Sequence, residues 1–169
     1  MNAPAATFLD RWNAADERQR LLQVVQPALI GLIDGTISTL APIFAAAYIA
    51  GSNAALLVGL AAALGAAISM GMSEGLSDDG EITGRGGALT RGMITGVATF
   101  VGGTAHALPF LINDIHTALT VAYIVVSVEL VVIAWVRKRF LGVALRTSLI
   151  QVTLGGTIVA AVGVAVGHA

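Results

Sequence analysis

The sequence predicts an all-α integral membrane protein with five transmembrane helices, a cytoplasmic N-terminus and an external C-terminus. Of its 169 residues, 56% are hydrophobic and only 11% are charged, whereas soluble domains carry about 25% charged residues. The 20 glycines suit membrane helices that pack closely, because lipid supplies no hydrophobic drive for helices to associate. Five apolar runs are long enough to cross a hydrocarbon core of about 30 Å.

The N-terminal segment, residues 1–26, is expected to form an amphipathic helix at the membrane interface. Its apolar residues recur at helical spacing between acids and bases, and Trp12 is placed at the level of the lipid headgroups. The segment lacks the apolar centre of a signal peptide, so the first span is expected to insert the chain. Residues 27–169 are then expected to form one transmembrane transporter domain.

The first predicted span is interrupted by a proline. The five spans cover residues 28–50, 54–76, 92–112, 116–136 and 147–167. Short connections predict that consecutive spans are antiparallel. Within the first span, Pro42 has no N–H to donate to the carbonyl of Ser38, which predicts a kink just beyond Asp34.

The distribution of basic residues predicts the orientation. All nine Lys and Arg precede span one or lie between spans two and three or four and five: Arg11, Arg18, Arg20, Arg85, Arg91, Arg137, Lys138, Arg139 and Arg146. Five alternating spans place every one of them on the same side of the membrane. The positive-inside rule makes that side the cytoplasm. The sequence therefore predicts a multi-pass protein of the cell (inner) membrane.

Three carboxylates fall in or at the end of predicted spans, where a charge is costly and usually marks a partner or an ion path. By helical rise, Asp34 lies ~9 Å and Glu129 ~10 Å from the cytoplasmic boundary, while Glu74 lies near the boundary itself. Met70 lies ~9 Å deep on the second span. The sequence thus predicts one shallow layer formed by Asp34, Met70 and Glu129, with Glu74 above it.

The chemistry of this set favours a soft transition metal, because a thioether joins the carboxylates. Met70 and Glu74 are four residues apart and share a helical face, whereas Met72 points away and is a weaker candidate. Glu129 and His106 are also weaker metal candidates. Alternatives remain open for each: Asp34 in a hydrogen bond to a hydroxyl of a neighbouring span, Met70 in core packing, Glu129 in a pair with another helix, and His106 in a structural role or at an external exit site.

Several stretches together resemble the vacuolar iron transporter family. Asp34-Gly35 and the run from Gly65 to Gly71 with Glu74 resemble its first two helices, and residues 102–103 and 108–110 fit its third. Residues 40–44 and 73–80 are most similar to the membrane domain of bacterial membrane-bound ferritins, a branch that exports iron. The resemblance extends from about residue 26 to the C-terminus.

The resemblance implies a five-helix protomer, a homodimer and a metal path at the two-fold interface, with Fe²⁺ exported in exchange for protons. The family's path aspartate falls on Asp34, its path methionine on Met70 and its motif glutamate on Glu74. Two departures matter. Residues 77–90 are too few for the cytoplasmic metal-binding domain of eukaryotic members, and nothing before residue 26 could form a ferritin-like domain.

The sequence therefore predicts a proton-coupled exporter of divalent metal, with Fe²⁺ as substrate and Mn²⁺, Co²⁺ or Zn²⁺ as alternatives. Beside membrane lipid, a separate iron-storage or iron-delivery protein is a candidate partner, with uptake of free cytoplasmic metal as the alternative. A non-transporting membrane anchor for a ferritin-like or other partner is the main alternative, and a carrier of small organic cations is a third. No catalytic constellation, permanently bound cofactor or nucleic-acid interaction is expected. There is no cysteine, which excludes thiolate metal sites.

Overall fold

The protein consists of packed helices with short connections. The computed structural model describes residues 16–169, and within that range every regular element is helical. The helices are α1 (Gln26–Ser38), α2 (Leu40–Ser77), α3 (Ala88–Ala105), α4 (Ile115–Leu141) and α5 (Leu145–Gly167). A π-helical turn, Leu21–Val25, leads into α1, and a 3₁₀ turn, Leu108–Leu111, follows α3. The all-α prediction is confirmed for this part of the chain.

Within residues 16–169, three helical stretches are long and apolar enough to cross a membrane: Asp16–Ser77, Ile115–Leu141 and Leu145–Gly167. The membrane class predicted from composition is therefore supported. The first stretch already includes residues 16–26, so the predicted boundary at residue 26 is not a break in the helix. Residues 1–15, including Trp12, lie outside the described residues, and the interfacial role of that segment stays a prediction.

The longest of these stretches folds back on itself at Gly51. This glycine has φ 81° and ψ −170°, a conformation that essentially only glycine adopts. Ile43 and Gly59 meet across the reversal, because a Cβ built on Gly59 would lie 3.0 Å from the Ile43 Cδ1. In a straight helix their Cα atoms would be ~24 Å apart. Helix α2 is thus a hairpin of two limbs, residues 40–50 and 52–77.

The expected kink near Pro42 appears as a break in the helix at Thr39. This residue has φ −89° and ψ −12° and separates α1 from α2. Its hydroxyl donates to the carbonyl of Gly35, 2.8 Å away. Such a bond compensates backbone groups that lose ideal helical geometry beside a proline. The break places a buried hydroxyl, Thr39, between the two helices.

Helix α3 is packed against α1 on one side and the second limb of α2 on another, at backbone contact distance. A Cβ on Gly35 would lie 2.0 Å from the Thr99 carbonyl oxygen, and one on Gly71 would lie 2.9 Å from that of Gly92. Close approach of this kind requires glycine, as in other membrane helix pairs. The predicted third span was too long. Helix α3 ends at Ala105, and residues 106–111 form turns around Pro109.

Candidate functional site

Glu74, predicted to capture metal at the mouth of a path, is held by two arginines. Its Oε1 accepts hydrogen bonds from Arg85 Nη2 at 2.6 Å and from Arg91 Nε at 2.9 Å. The Glu74 side chain is 9% exposed and that of Arg91 only 1%. Two guanidinium groups therefore neutralise the carboxylate, and in this conformation it is not open to a metal ion.

The loop between α2 and α3 is tied to the same cluster. Arg91 Nη1 donates to the carbonyl of Gly86 at 2.7 Å, and Arg91 Nη2 donates to that of Asp78. The Asp78 carboxylate in turn accepts from the Thr83 hydroxyl and from the N–H of Gly80. These hydrogen bonds hold the pKa of Asp78 below its usual value, with the Thr83 bond as the larger cause. The loop closes this end of the helices as an ordered cap.

Asp34 differs from Glu74 and Glu129 in its pairing. It is half-buried, and it takes part in no ion pair among residues 16–169. The side chain of Ser38, one turn later, is its hydrogen-bonding neighbour. On a helix that is apolar enough to cross a membrane, a carboxylate without an ion pair is costly, and binding of a cation or a proton would neutralise it.

The two methionines of the predicted site have different surroundings. Met70 is half-buried, whereas Met72 is 59% exposed. Met72 lines an apolar groove of about 730 Å³ between the second limb of α2 and α3, with Leu64, Ile68 and Phe100 among its walls. The groove offers no polar ligand beside Met72, so Met70 is the stronger of the two candidates.

Contacts along α3 place the candidate groups at different depths. Gly35 lies opposite residues 99–103 of α3, and Gly71 lies opposite residues 92–96. Because α1 runs parallel to α3 and the second limb of α2 antiparallel, Asp34 and Met70 are about five α3 residues, or ~8 Å, apart in depth. Glu129 contacts His106, at the end of α3. The groups therefore form steps along α3 and not the single layer expected from the sequence.

A hydrogen-bonded chain joins α4, the end of α3 and the break between α1 and α2. Glu129 Oε2 lies 2.9 Å from His106 Nδ1, and His106 Nε2 lies 2.8 Å from the Thr39 hydroxyl oxygen. His106 is fully buried, and the Glu129 side chain is 11% exposed. Both ring nitrogens are engaged, so the ring has no lone pair available to a metal ion in this arrangement.

The described part of the chain contains no ready-made metal cluster. Among residues 16–169, no three His, Cys, Asp or Glu side chains come together as a set that could hold a metal ion. A metal held at Asp34 would need further ligands from Met70, from backbone carbonyls or from a second copy of the chain. Asp34 and Met70 both reach the surface of the single protomer.

Two of the residues that build this arrangement were not singled out as site residues from the sequence. In the sequence analysis Arg91 is only one of the basic residues between spans two and three, and Thr39 is not considered. The signal for Thr39 was its position three residues before Pro42. Nothing in the sequence marks Arg91 as the partner of Glu74, since the loop must fold before they meet.

Comparison with models of protein families, with curated proteins and with solved structures found no match to this chain.

Proposed function

We propose that the protein is an exporter of divalent metal, with Fe²⁺ as its substrate, which moves metal out of the cytoplasm in exchange for protons. The observation that carries the proposal is the state of the three intramembrane acids. Among residues 16–169, Glu74 and Glu129 are each paired with a base, and Asp34 forms no ion pair. A carboxylate left unpaired at such a position is suited to a mobile cation.

The transport site in this proposal is formed by Asp34 and Met70 from two copies of the chain. The two residues differ by ~8 Å in depth, but their side chains lean toward each other, because each tilts toward the N-terminus of its own helix and the two helices run in opposite directions along α3. Each side chain is half-buried in the single protomer, so a second copy can complete the coordination. A carboxylate with a thioether favours softer transition metals over Mg²⁺ or Ca²⁺. The likeness to the vacuolar iron transporter family supports Fe²⁺ as substrate and a path at the two-fold interface.

The membrane arrangement in the proposal has five spans. The two limbs of α2 supply separate crossings, the first together with α1, and α3, α4 and α5 supply the rest. Glu74 would then meet metal at the cytoplasmic mouth once Arg85, the more exposed of its two partners, has moved away. The conformation described has this end closed by the ordered loop.

The test is metal uptake into proteoliposomes by wild type and Asp34→Asn, with and without a pH gradient, comparing Fe²⁺, Mn²⁺, Zn²⁺, Co²⁺ and Ca²⁺. We expect the variant's flux to fall to that of empty vesicles, because a neutral amide is a poor metal ligand. Its oligomeric state should match that of wild type. Glu81→Gln, an exposed loop acid, is the matched control and should transport normally. Undiminished flux in Asp34→Asn would overturn the assignment.

The alternative is a non-transporting membrane protein that anchors a ferritin-like or other partner. The pairing of Glu74 with Arg91 and of Glu129 with His106 favours this alternative, since both acids then link structural elements. In that case wild-type protein moves no metal in vesicles, and a partner remains bound through purification. Metal flux in wild-type vesicles that depends on Asp34 would exclude this alternative.

A further inference from the structure

Among residues 16–169, the hydrogen-bonded chain Glu129–His106–Thr39 contains the most deeply buried ionisable side chain outside the Arg91 cluster, that of His106. These hydrogen bonds join three separate parts of the protein: α4, the C-terminal cap of α3 and the break at Thr39. Thr39 and His106 are 1% and 0% exposed. The second carboxylate oxygen of Glu129, Oε1, is buried and has no hydrogen-bond partner among the described residues. An orphaned buried oxygen is costly for an ionised carboxylate.

The hydrogen-bond partners assign the protons along Glu129, His106 and Thr39. The Thr39 hydroxyl has one proton, and it is donated to the carbonyl of Gly35. In this arrangement the Thr39 oxygen accepts from His106, which assigns a proton to His106 Nε2. His106 Nδ1 and Glu129 Oε2 are 2.9 Å apart, and two lone pairs at that distance repel. One proton must lie between them.

We propose that the His106–Glu129 pair is a proton-binding site, and that it takes up the proton exchanged for the transported metal. This inference rests on the proposed function, and it assigns the counter-transported proton to a site apart from the metal site. With one proton between its members, the pair is neutral, whether written as carboxylic acid with imidazole or carboxylate with imidazolium. Loss of that proton leaves a net charge of −1, and its return restores neutrality, so one proton moves for each cycle of the pair.

The ionisable residues around His106 and Glu129 determine which charges act on this pair. On α1 the ionisable residue is Asp34, five residues before Thr39 and so ~8 Å away along the helix. On the first limb of α2 and on α4 the nearest are Tyr48 and Tyr123, whose hydroxyls lie 3.3 Å from each other. The second limb of α2 has no ionisable residue before Glu74, and α5 has none between Arg146 and its end at Gly167.

Asp34 is therefore the only charged residue that α1 presents near the pair, and a metal ion bound there changes the field at His106. A divalent cation at Asp34 favours loss of the proton between His106 and Glu129, because the resulting negative charge is attracted to the metal. Return of a proton to the pair removes that attraction and favours release of the metal. Thr39, in the break between α1 and α2, connects the two sites through Gly35, the neighbour of Asp34.

The first test observes the pair without any transport assay. In metal-free nanodiscs, the ¹⁵N signals of the His106 ring are assigned by their loss in His106→Gln, with His116→Gln as the control for an exposed histidine. We expect a Nε2–H signal from the ring, a change in the ring signals when the pH is varied, and a shift when Zn²⁺ is added to wild type but not to Asp34→Asn. A His106 ring whose protonation is unchanged by pH and by Zn²⁺ would overturn the proposal and leave a purely structural link.

The second test separates proton movement from metal movement. Vesicles containing a pH-sensitive dye report both fluxes for wild type and Glu129→Gln, the latter keeping the shape of the side chain. We expect Glu129→Gln to carry metal down its own gradient while proton movement per metal ion falls about five-fold or more. Unchanged coupling in this variant would overturn the proton site while leaving the exporter intact. Absence of metal flux in wild type would instead contradict the proposed function, and the ring signals of the first test would still decide the proton site.

Discussion

A single arginine, Arg91, stabilises the end of the bundle at which the loop connects α2 to α3. Its side chain is 1% exposed, and its three nitrogens donate to Glu74, to the carbonyl of Gly86 and to that of Asp78. A buried guanidinium is tolerable only when its donors are satisfied in this way. Glu74 is thus a structural partner of Arg91 in this conformation, whatever role it has toward metal.

The stability of the loop is therefore expected to depend on Glu74 far more than on Arg85. Glu74→Gln leaves Arg91 charged, buried and without a counter-ion, and we expect a loss of about 3–5 kcal/mol. Arg85→Gln removes the more exposed partner while Arg91 still pairs with Glu74, so we expect at most about 1 kcal/mol. Unfolding of both variants in nanodiscs measures the difference. Equal losses would show that Arg91 does not depend on the ion pair.

At this scale the sequence identifies acids more readily than it identifies their partners. Asp34, Glu74 and Glu129 stand out because a carboxylate in an apolar run is rare. Their partners depend on which helices become neighbours and on how the loop at residues 78–87 folds. That Asp34, unlike Glu74 and Glu129, forms no ion pair with another described residue is consequently a result of the tertiary structure.

Among the elements, α1 and α3 approach so closely that their contact tolerates no side chain. A Cβ on Gly35 would lie 2.0 Å from the Thr99 carbonyl oxygen, whereas one on Gly65 would meet nothing within 4 Å. Both glycines have ordinary helical backbone, since neither is among the positive-φ residues. The two positions therefore separate the effect of close packing from the effect of backbone freedom.

Gly35→Ala should consequently destabilise the protein by about 2 kcal/mol or more, because the added methyl group forces α1 and α3 apart. Gly65→Ala should be neutral or stabilising by up to about 1 kcal/mol, since alanine favours the helix and nothing opposes it. Reversible unfolding in detergent micelles measures both. Similar effects at the two positions would contradict the close contact between α1 and α3.

Hydropathy located the helices well and the turns poorly. The last two predicted spans begin and end within about five residues of α4 and α5 at each end, because long apolar runs leave little choice. The third was extended to residue 112, but α3 ends at Ala105. Apolar residues continue past that point, and Pro109 cannot donate the hydrogen bond that a continuing helix would require. Hydropathy alone does not predict that α3 ends before Pro109.

Across the whole molecule, the polar groups follow α3 from one end to the other. The Glu74–Arg91 cluster lies at its start, Met70 and Asp34 follow, and the His106–Glu129 pair lies at its end. Depth counted from the predicted span boundaries merged three of these steps into one layer, because helix boundaries and crossing positions are not fixed by sequence.

The orientation of the ladder can be tested with single cysteines, because the chain contains none of its own. Asn53 and Glu81 are exposed residues at opposite ends of the second limb of α2, residues 52–77. If the basic residues face the cytoplasm, Asn53→Cys reacts with a membrane-impermeant maleimide in intact cells. Glu81→Cys then reacts only after the cells are permeabilised. The reverse pattern would show that the protein has the opposite orientation and that the proposed exporter is an importer. Equal labelling of both sites in intact cells would show that this limb does not cross the membrane.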